Sequence, residues 1–467
     1  MACENNKLPL KTQLGYGIGT LSYGIPFQLM SACLVFYSTA VLGISGLLTG
    51  LLISASTVWD AFTDPVMGYI SDHTNPRVLF GRRLFYVLIG AVGLALCNFL
   101  LWRIDPALPK AAKSLWLGVL LLLFKTFSTV YTTPYLALGA ELSTDYNERT
   151  TIQSFRTAFF FLGFMFPAIV GMAVFFRPTP EFPNGQLNPL AYENLGLTGT
   201  AITLASAAVC IFLTRGMRHA AAVIKKRKNP VIGVFKETAQ ALKCADFRNV
   251  SIGLLFVNMA MGIVGAIGMH VFTYTFGFGN RQIAVVFGAL FLMALVAQPV
   301  WAYIAKKTEK CRAMLLCLYI NLAVSVLFAA GVFLSEWISD HYLIVLPLAM
   351  LMGLSIGGSI ALPYSMISDT IDKDAYYTGT RKEGVFYGCA TFMFKLSQSL
   401  SVLFVGFLLD IIRFSSDIVQ PRSVYIRLGL ILPVGFFICF VLALFFIRKY
   451  TLDRETVAKY QQKTGLV

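Results

Sequence analysis

The sequence predicts an all-α membrane protein of about twelve transmembrane helices, arranged as two related halves. Three observations predict it. Of 467 residues, 57% are hydrophobic and only 13% charged, against roughly 25% charged in soluble domains. Apolar runs long enough to cross a bilayer as a helix recur from end to end. The longest polar break falls in the middle and divides these runs six and six.

In chain order, the opening MACENNKLPLKTQ lacks the basic end, short apolar core and small-residue cleavage site of a secretory signal. The first apolar core, 14–43, is too long for a signal and is expected to stay as a helix. The second, 47–71, contains TVWDAFTDPVMGYISD, in which Asp60 and Asp64 stand one helical turn apart on one face. The loop GYISDHTNPRVLFGRR leads to the third core, 84–103. The fourth, 114–139, carries Lys125, and the fifth, 153–176, carries Arg156 near its start. The sixth is 197–214, and the polar break 215–249 follows. The second half has cores at 250–276 with His270, 283–305 with Gln298, 313–334, 342–367, 385–412 with Lys395, and 425–447. The expected division is therefore an N-terminal bundle 1–214, a middle loop 215–249, a C-terminal bundle 250–448 and a tail 449–467.

The net charge of +15 follows topology rather than a polyanionic partner. Lys and Arg collect in alternate loops, around Arg82 and Arg83, through the middle loop, around Lys306 and Lys310, at Arg381 and Lys382, and in the tail. By the positive-inside rule both termini are expected in the cytoplasm, and no nucleic-acid partner is expected. The nine cysteines fall mostly within or beside apolar cores, none in a C-x-x-C pair, and read as small apolar fillers. The four histidines, His73, His219, His270 and His341, are scattered. No metal-ligand pairing or nucleophile–base pairing stands out, so an enzyme is not expected.

The halves echo one another. DPVMGYI at Asp64–Ile70 matches QPVWAYI at Gln298–Ile304, and TPYLALGAEL around Pro134 matches LPYSMISDT around Pro363. The proline offsets, 234 and 229, nearly agree and relate the second core to the eighth and the fourth to the tenth. Ala294 and Gln298 then stand where Asp60 and Asp64 would, so only the first half carries the acid pair.

A charge at mid-bilayer costs roughly 2.5–3.5 kcal/mol and faces a partner or a cavity. Two readings of Asp60 and Asp64 stand side by side. One is an ion pair with Lys125, Arg156 or Lys395. The other is a cation site: two like charges one turn apart repel unless a cation or proton joins them. Thr57 and Thr63 would add hydroxyl oxygens, and an all-oxygen set suits a hard ion such as Na⁺, with a proton as the alternative. In the following loop, Asp72 closes one helix while Arg82 and Arg83 open the next. They form either a positive-inside turn or a latch that holds neighbouring helix ends in one state.

The loop GYISD…GRR resembles that between the second and third helices of the major facilitator superfamily. WDAFTDP at Trp59–Pro65, PYLALGAELSTDYNERT at Pro134–Thr150 and MISDTIDKDAYYTGTRKEGVFYG at Met366–Gly388 resemble the glycoside–pentoside–hexuronide:cation symporters, to which sodium-dependent lysophosphatidylcholine symporters are related. The resemblance implies two six-helix bundles around a cavity that opens alternately to each side, and cation-coupled uptake. It implies that Asp60, Asp64 and Thr129, with Thr63 between, hold Na⁺, and that Lys395 and Arg156 match the family's basic residues. The family's sugar-binding acids are replaced here by Gly24 and Thr132, which counts against an α-galactoside, and Lys125 beside a cation site departs from the pattern.

With a monovalent cation bound, Lys125, Arg156 and Lys395 outweigh the two acids, which favours an anionic, sugar-like solute. Tyr16, Tyr23, Gln28, Thr132, Thr133, Gln298 and Thr391 are candidate polar contacts. The expected function is cation-coupled symport (Na⁺ or H⁺) of a sugar-like, possibly anionic, small molecule. It needs no cofactor beyond the coupling ion, and the protein would work as a monomer among membrane lipids in a plasma membrane of bacterial inner-membrane type. Lysophospholipid symport on the same scaffold and a non-transporting receptor are the alternatives.

Overall fold

The structure is a computed structural model that describes residues 8–75, 79–142, 146–216, 241–379, 383–414 and 420–463. Most of the basic middle loop lies outside the described residues, as do Arg381 and Lys382. Among the described residues there is no strand. The helices are α1 (Leu10–Phe36), α2 (Gly46–His73), α3 (Arg82–Leu101), α4 (Lys110–Glu141), α5 (Tyr146–Met165), α6 (Pro189–Thr214), α7 (Ala245–His270), α8 (Asn280–Thr308), α9 (Lys310–Phe333), the short α10 (Ser335–Asp340), α11 (Val345–Thr378), α12 (Glu383–Ile411), α13 (Arg422–Ile447) and the tail helix α14 (Arg454–Lys463).

Among the described residues, eleven helical segments are long and apolar enough to cross a membrane. α2 is not among them, although its 28 residues span about 42 Å at 1.5 Å per residue. It is long enough, and its acids dilute its hydropathy. The expected twelve spans are thus twelve long helices, one of them polar through its middle. The molecule is a multi-pass membrane protein.

Several helices carry an internal proline: Pro26 in α1, Pro134 in α4, Pro299 in α8, Pro363 in α11 and Pro433 in α13. Each removes one backbone N–H from the ladder. α1, α5 and α7 run into wider turns at Tyr37–Val41, Phe166–Phe175 and Val271–Thr275.

The chain divides into two compact units. The first comprises Met1–Leu34, Val41–Ile44 and Ala55–Val231; the second comprises Val35–Ala40, Ser45–Ser54 and Ile232–Val467. The division differs from a cut at the middle loop because the end of α1 and the start of α2 belong with the second unit. There the Thr39 hydroxyl meets His270 Nε2 at 2.9 Å, Asp410 accepts from the N–H groups of Gly46 and Leu47 at 2.9 and 3.2 Å, and the Ser54 hydroxyl donates to the Ser399 carbonyl.

In the first unit α3 packs on α4 and α6. Gly90 and Gly93 bring α3 against Tyr131 and Phe127 of α4. Asn98 donates from α3 to the Gly196 carbonyl and the Thr200 hydroxyl of α6. A stack of tyrosines ties α1 to α4: Tyr16 and Tyr135 lie face to face at 4.6 Å, and Tyr131 donates to the Gly19 carbonyl at 2.7 Å. Tyr16 is fully buried in this stack and belongs to the core rather than to a solute surface. In the second unit α8 packs along α11. A Cβ on Gly357 would lie 2.5 Å from the Ala294 carbonyl oxygen, so only glycine permits this approach.

Candidate cation and solute site

In the first unit, α2 and α4 bring four oxygen-bearing side chains together. The apolar residues Val58, Trp59, Phe62, Val66 and Tyr69 of α2 are exposed, which turns Asp60 inward. Asp60 is 7% exposed; Asp64, one turn on, is half-buried. Between them stands Thr129 of α4, 2% exposed. Its hydroxyl lies 2.6 Å from Asp60 Oδ1 and 2.8 Å from Asp64 Oδ1. The Thr63 hydroxyl stands 3.5 Å from that of Thr129 and donates to the Asp60 carbonyl at 3.2 Å. The Trp59 indole donates to the Thr126 hydroxyl, one more tie between α2 and α4.

One hydroxyl carries one proton. One hydrogen cannot be given to two carboxylates at once, so one of these two close oxygen–oxygen contacts calls for a further positive partner, of which the Lys125 ammonium is one. A proton on one carboxyl, or a hard monovalent cation among these oxygens, is another. The donor set is all oxygen, which fits such an ion.

Lys125, four residues before Thr129, is 7% exposed, with Nζ 4.0 Å from Asp60 Oδ2. Its ammonium also lies 5.7 Å from the ring centroid of Phe27 on α1. At 4.0 Å the lysine is at the edge of ion-pair range, while the hydroxyl contacts of the same acid are far shorter.

Arg156 on α5 is half-buried, lies within electrostatic reach of Tyr16 and hydrogen-bonds Tyr23; among the described residues its buried Nε meets no acceptor. Tyr23 is half-buried against Tyr131, Tyr135 and Phe160. Gln28 is 4% exposed, and its Oε1 is buried without a partner. Thr132 is half-buried on α4. The first unit therefore holds Asp60, Asp64, Thr63, Thr129, Lys125, Tyr23, Gln28, Thr132 and Arg156. Lys395 and Thr391 are on α12 of the second unit. Lys395 is half-buried, and Thr391 is exposed and donates to its own helix at the Tyr387 carbonyl.

At the expected latch both arginines meet Glu141. Arg83 Nη2 and Nε lie 2.8 and 3.0 Å from Glu141 Oε1 on α4, and Arg82 Nη2 reaches the same oxygen at 3.0 Å. Arg83 also donates to the Ser71 hydroxyl at the end of α2. The side chain of Asp72 lies outside the described residues. Sequence reading missed Glu141, although its place at the end of a long apolar core, opposite the basic loop, was a usable signal. The second unit repeats the device with Lys310 at the start of α9 and Asp369 on α11, 2.6 Å apart, where Tyr450 also meets Asp369 at 3.3 Å.

The place in the second unit that corresponds to the acids is closed by backbone. Gln298 Nε2 donates to the Gly357 carbonyl at 3.2 Å, and the Trp301 indole donates to the Leu354 carbonyl at 2.7 Å.

A family model described as MFS/sugar transport protein matches residues 15–454. The sodium-dependent lysophosphatidylcholine symporter 1 of Homo sapiens is 25% identical over 427 residues, covering 87% of this chain and 76% of its own. The inner membrane symporter YicJ of Escherichia coli (strain K12) is 22% identical over 408 residues, covering 87% of this chain and 84% of its own. Among solved structures, the nucleoside transporter NupG aligns with a TM-score of 0.64 at 13% identity, over 94% of this chain and all of its own, a likeness of fold.

Proposed function

Because this chain belongs to the MFS/sugar transport protein family and is a membrane transporter rather than an enzyme, we propose that it is a cation-coupled symporter whose coupling site is the Asp60–Asp64–Thr129 knot. The observation that carries the reading is the single Thr129 hydroxyl shared by two carboxylates. It creates a place for one positive charge that is filled in one stage of a cycle and empty in another. Thr63 adds a further oxygen, and Na⁺ or H⁺ is the ion. Lys125 acts as a tethered counter-charge: it screens Asp60 when the ion has left and withdraws toward Phe27 when the ion returns. Both termini lie in the cytoplasm, and the membrane is a plasma membrane. An inner-membrane relative supports this placement.

The cargo is a small-molecule solute. Arg156, Lys125 and Tyr23 in the first unit favour one with an anionic group, in the first reading a sugar acid. Gln28 and Thr132 supply polar contacts. Asp72, Arg82 and Arg83 belong to the gate, with Glu141 as the acid that holds the arginines. A second reading, lysophospholipid symport, rests on the similarity to sodium-dependent lysophosphatidylcholine symporters; there the phosphate takes the place of the sugar carboxylate.

The ion raises solute affinity, and linkage requires the solute to raise ion affinity by the same factor. The test is a thermal-shift screen of purified protein against sugars, uronides and lysophospholipids with and without Na⁺ and at two pH values, followed by flux into proteoliposomes. A solute that stabilises only with the ion present supports the reading. Gradient-driven accumulation that survives in Asp60→Asn and Asp64→Asn refutes the knot as coupling site.

A further inference from the structure

The second unit contains a cavity of about 530 Å³ that is separate from the knot. It runs along α8 from Gln298 to Glu309, about 16 Å at 1.5 Å per residue. The opposite wall is α11 around Ala361, Leu362 and Ser365, and the tail with α14 closes it. The volume is that of a small-molecule site.

Polar and apolar residues share the walls, and small apolar residues keep part of them wide. Ala302 and Ala305 line one side, Ala361 and Leu362 another, and Leu452 and Val457 the tail side. The tail wall is fixed by specific bonds. Asp246 of α7 accepts from the N–H and hydroxyl of Thr451 at 2.9 and 3.0 Å, and Gln461 donates to Asp372 of α11 at 2.7 Å. Glu309 accepts from the Arg454 N–H at 3.2 Å.

One end of the cavity is ionic. Its three acids are all engaged: Asp369 by Lys310, Glu309 by the Arg454 backbone, and Asp453 by the Thr456 N–H, 2.8 Å away. The cations differ. Arg454 spends one guanidinium N–H on the Lys306 carbonyl, and among the described residues neither Lys306 nor Arg454 has a carboxylate within ion-pair distance. The donors left over at this end are therefore those of two cations. Beside the cavity α8 exposes Val296, Val300 and Tyr303, an apolar flank on a helix fit to cross a membrane.

We propose that this slot binds an amphiphile with one anionic head and an alkyl chain, the head against Lys306 and Arg454 and the chain between α8 and α11. The alanine-lined walls take up the chain, and the two cations compensate the head. Because Leu452, Arg454, Val457 and Gln461 form one wall, occupancy also fastens the tail to α11.

The probes are dodecyl phosphate, inorganic phosphate and dodecyl maltoside, added to the full chain in a neutral detergent, with apparent Kd read from the thermal shift. Dodecyl phosphate is expected to stabilise the protein, and the other two are not. Lys306→Gln with Arg454→Gln is expected to weaken it roughly tenfold or more, at about one charge contact per residue. Ala361→Phe, which fills the slot and keeps every charge, is expected to abolish the shift. Lys307→Gln, whose ammonium lies 4.6 Å from the Tyr303 ring centroid, is expected to leave it unchanged. If the double variant does not fold, Lys306→Gln alone carries the charge arm. Nanodiscs of phosphatidylglycerol against phosphatidylcholine then separate two sources of the same chemistry: stabilisation by the first assigns a bilayer lipid, and equal behaviour assigns a free single-chain amphiphile. An equal shift from dodecyl maltoside, or full retention of the shift in Ala361→Phe, overturns the proposal. The readout is binding, so it stands or falls apart from transport.

Discussion

Helices α2 and α4 of the first unit and helices α8 and α11 of the second hold corresponding places in the repeat and are joined by opposite means. The proline offsets carry Asp60 to Ala294, Asp64 to Gln298, Thr129 to Gly358 and Lys125 to Leu354. In the second unit glycines let the two backbones approach, and the side chains that remain bond to carbonyls: Gln298 to Gly357 and Trp301 to Leu354. In the first unit the Thr129 hydroxyl of α4 stands between the carboxylates of Asp60 and Asp64 on α2. One half is packed for permanence, the other for exchange.

The largest effect that would break this contrast comes from exporting it. Gly357→Val pushes a side chain into the Ala294 carbonyl and is expected to cost about 3 kcal/mol or more. Ala294→Asp places an acid at a 6%-exposed position and is expected to cost roughly 2.5–3.5 kcal/mol. Both are read as lost monodisperse yield and lowered Tm. Asp60→Asn goes the other way. Removing one of two repelling charges is expected to hold or raise Tm while gradient-driven uptake falls to the level of exchange, so stability and activity part company. A parallel fall in both would make Asp60 a structural ion-pair partner.

The latches sharpen the comparison at smaller scale. Glu141→Gln takes the carboxylate from a buried Arg83 that keeps its bond to Ser71, and breaking a buried pair of this kind costs about 3 kcal/mol. In the second unit Lys310 is 36% exposed, so Asp369→Asn lets it turn to water and is expected to cost about 1 kcal/mol. Chemical denaturation of the two variants side by side measures the difference. Equal losses would mean that the two latches are equivalent.

The smallest effect concerns the tail. The carboxyl of Asp453 is held below the usual aspartate range, chiefly by its hydrogen bonds with Thr456 at the start of α14. A depressed folded-state pKa gives stability that is present above the unfolded value and lost as pH falls through the folded one. Fraying of α14 is therefore expected only in acid, below the ordinary aspartate range, and protection of the Thr456 amide against hydrogen exchange reports it.

Much of this was legible in the sequence. Helix number and order followed from apolar run length, since a bilayer demands closed backbone hydrogen bonding over a fixed thickness. The acid pair stood out for the same reason: a charge in an apolar run has a cost that composition exposes. Thr129 came through resemblance alone, because a threonine in an apolar helix is chemically unremarkable until a carboxylate faces it. Glu141, Asp246 and Asp410 escaped because each sits near a helix end, where a charge is ordinary, and only the fold shows which backbone or arginine it serves. The grouping of residues 35–40 and 45–54 with the second unit was also hidden, since a chain boundary read from loop length ignores which helix ends cap one another.

The lone Thr129 hydroxyl has a consequence for bioenergetics. If the proposed site takes one monovalent ion, one ion crosses per turnover. Uptake of a neutral solute would then move one net charge and respond to membrane voltage, at about 2.3 kcal/mol per 100 mV, whereas a monoanion would cross electrically silent. The current carried by proteoliposomes thus reports the charge of the cargo before its chemical name is known.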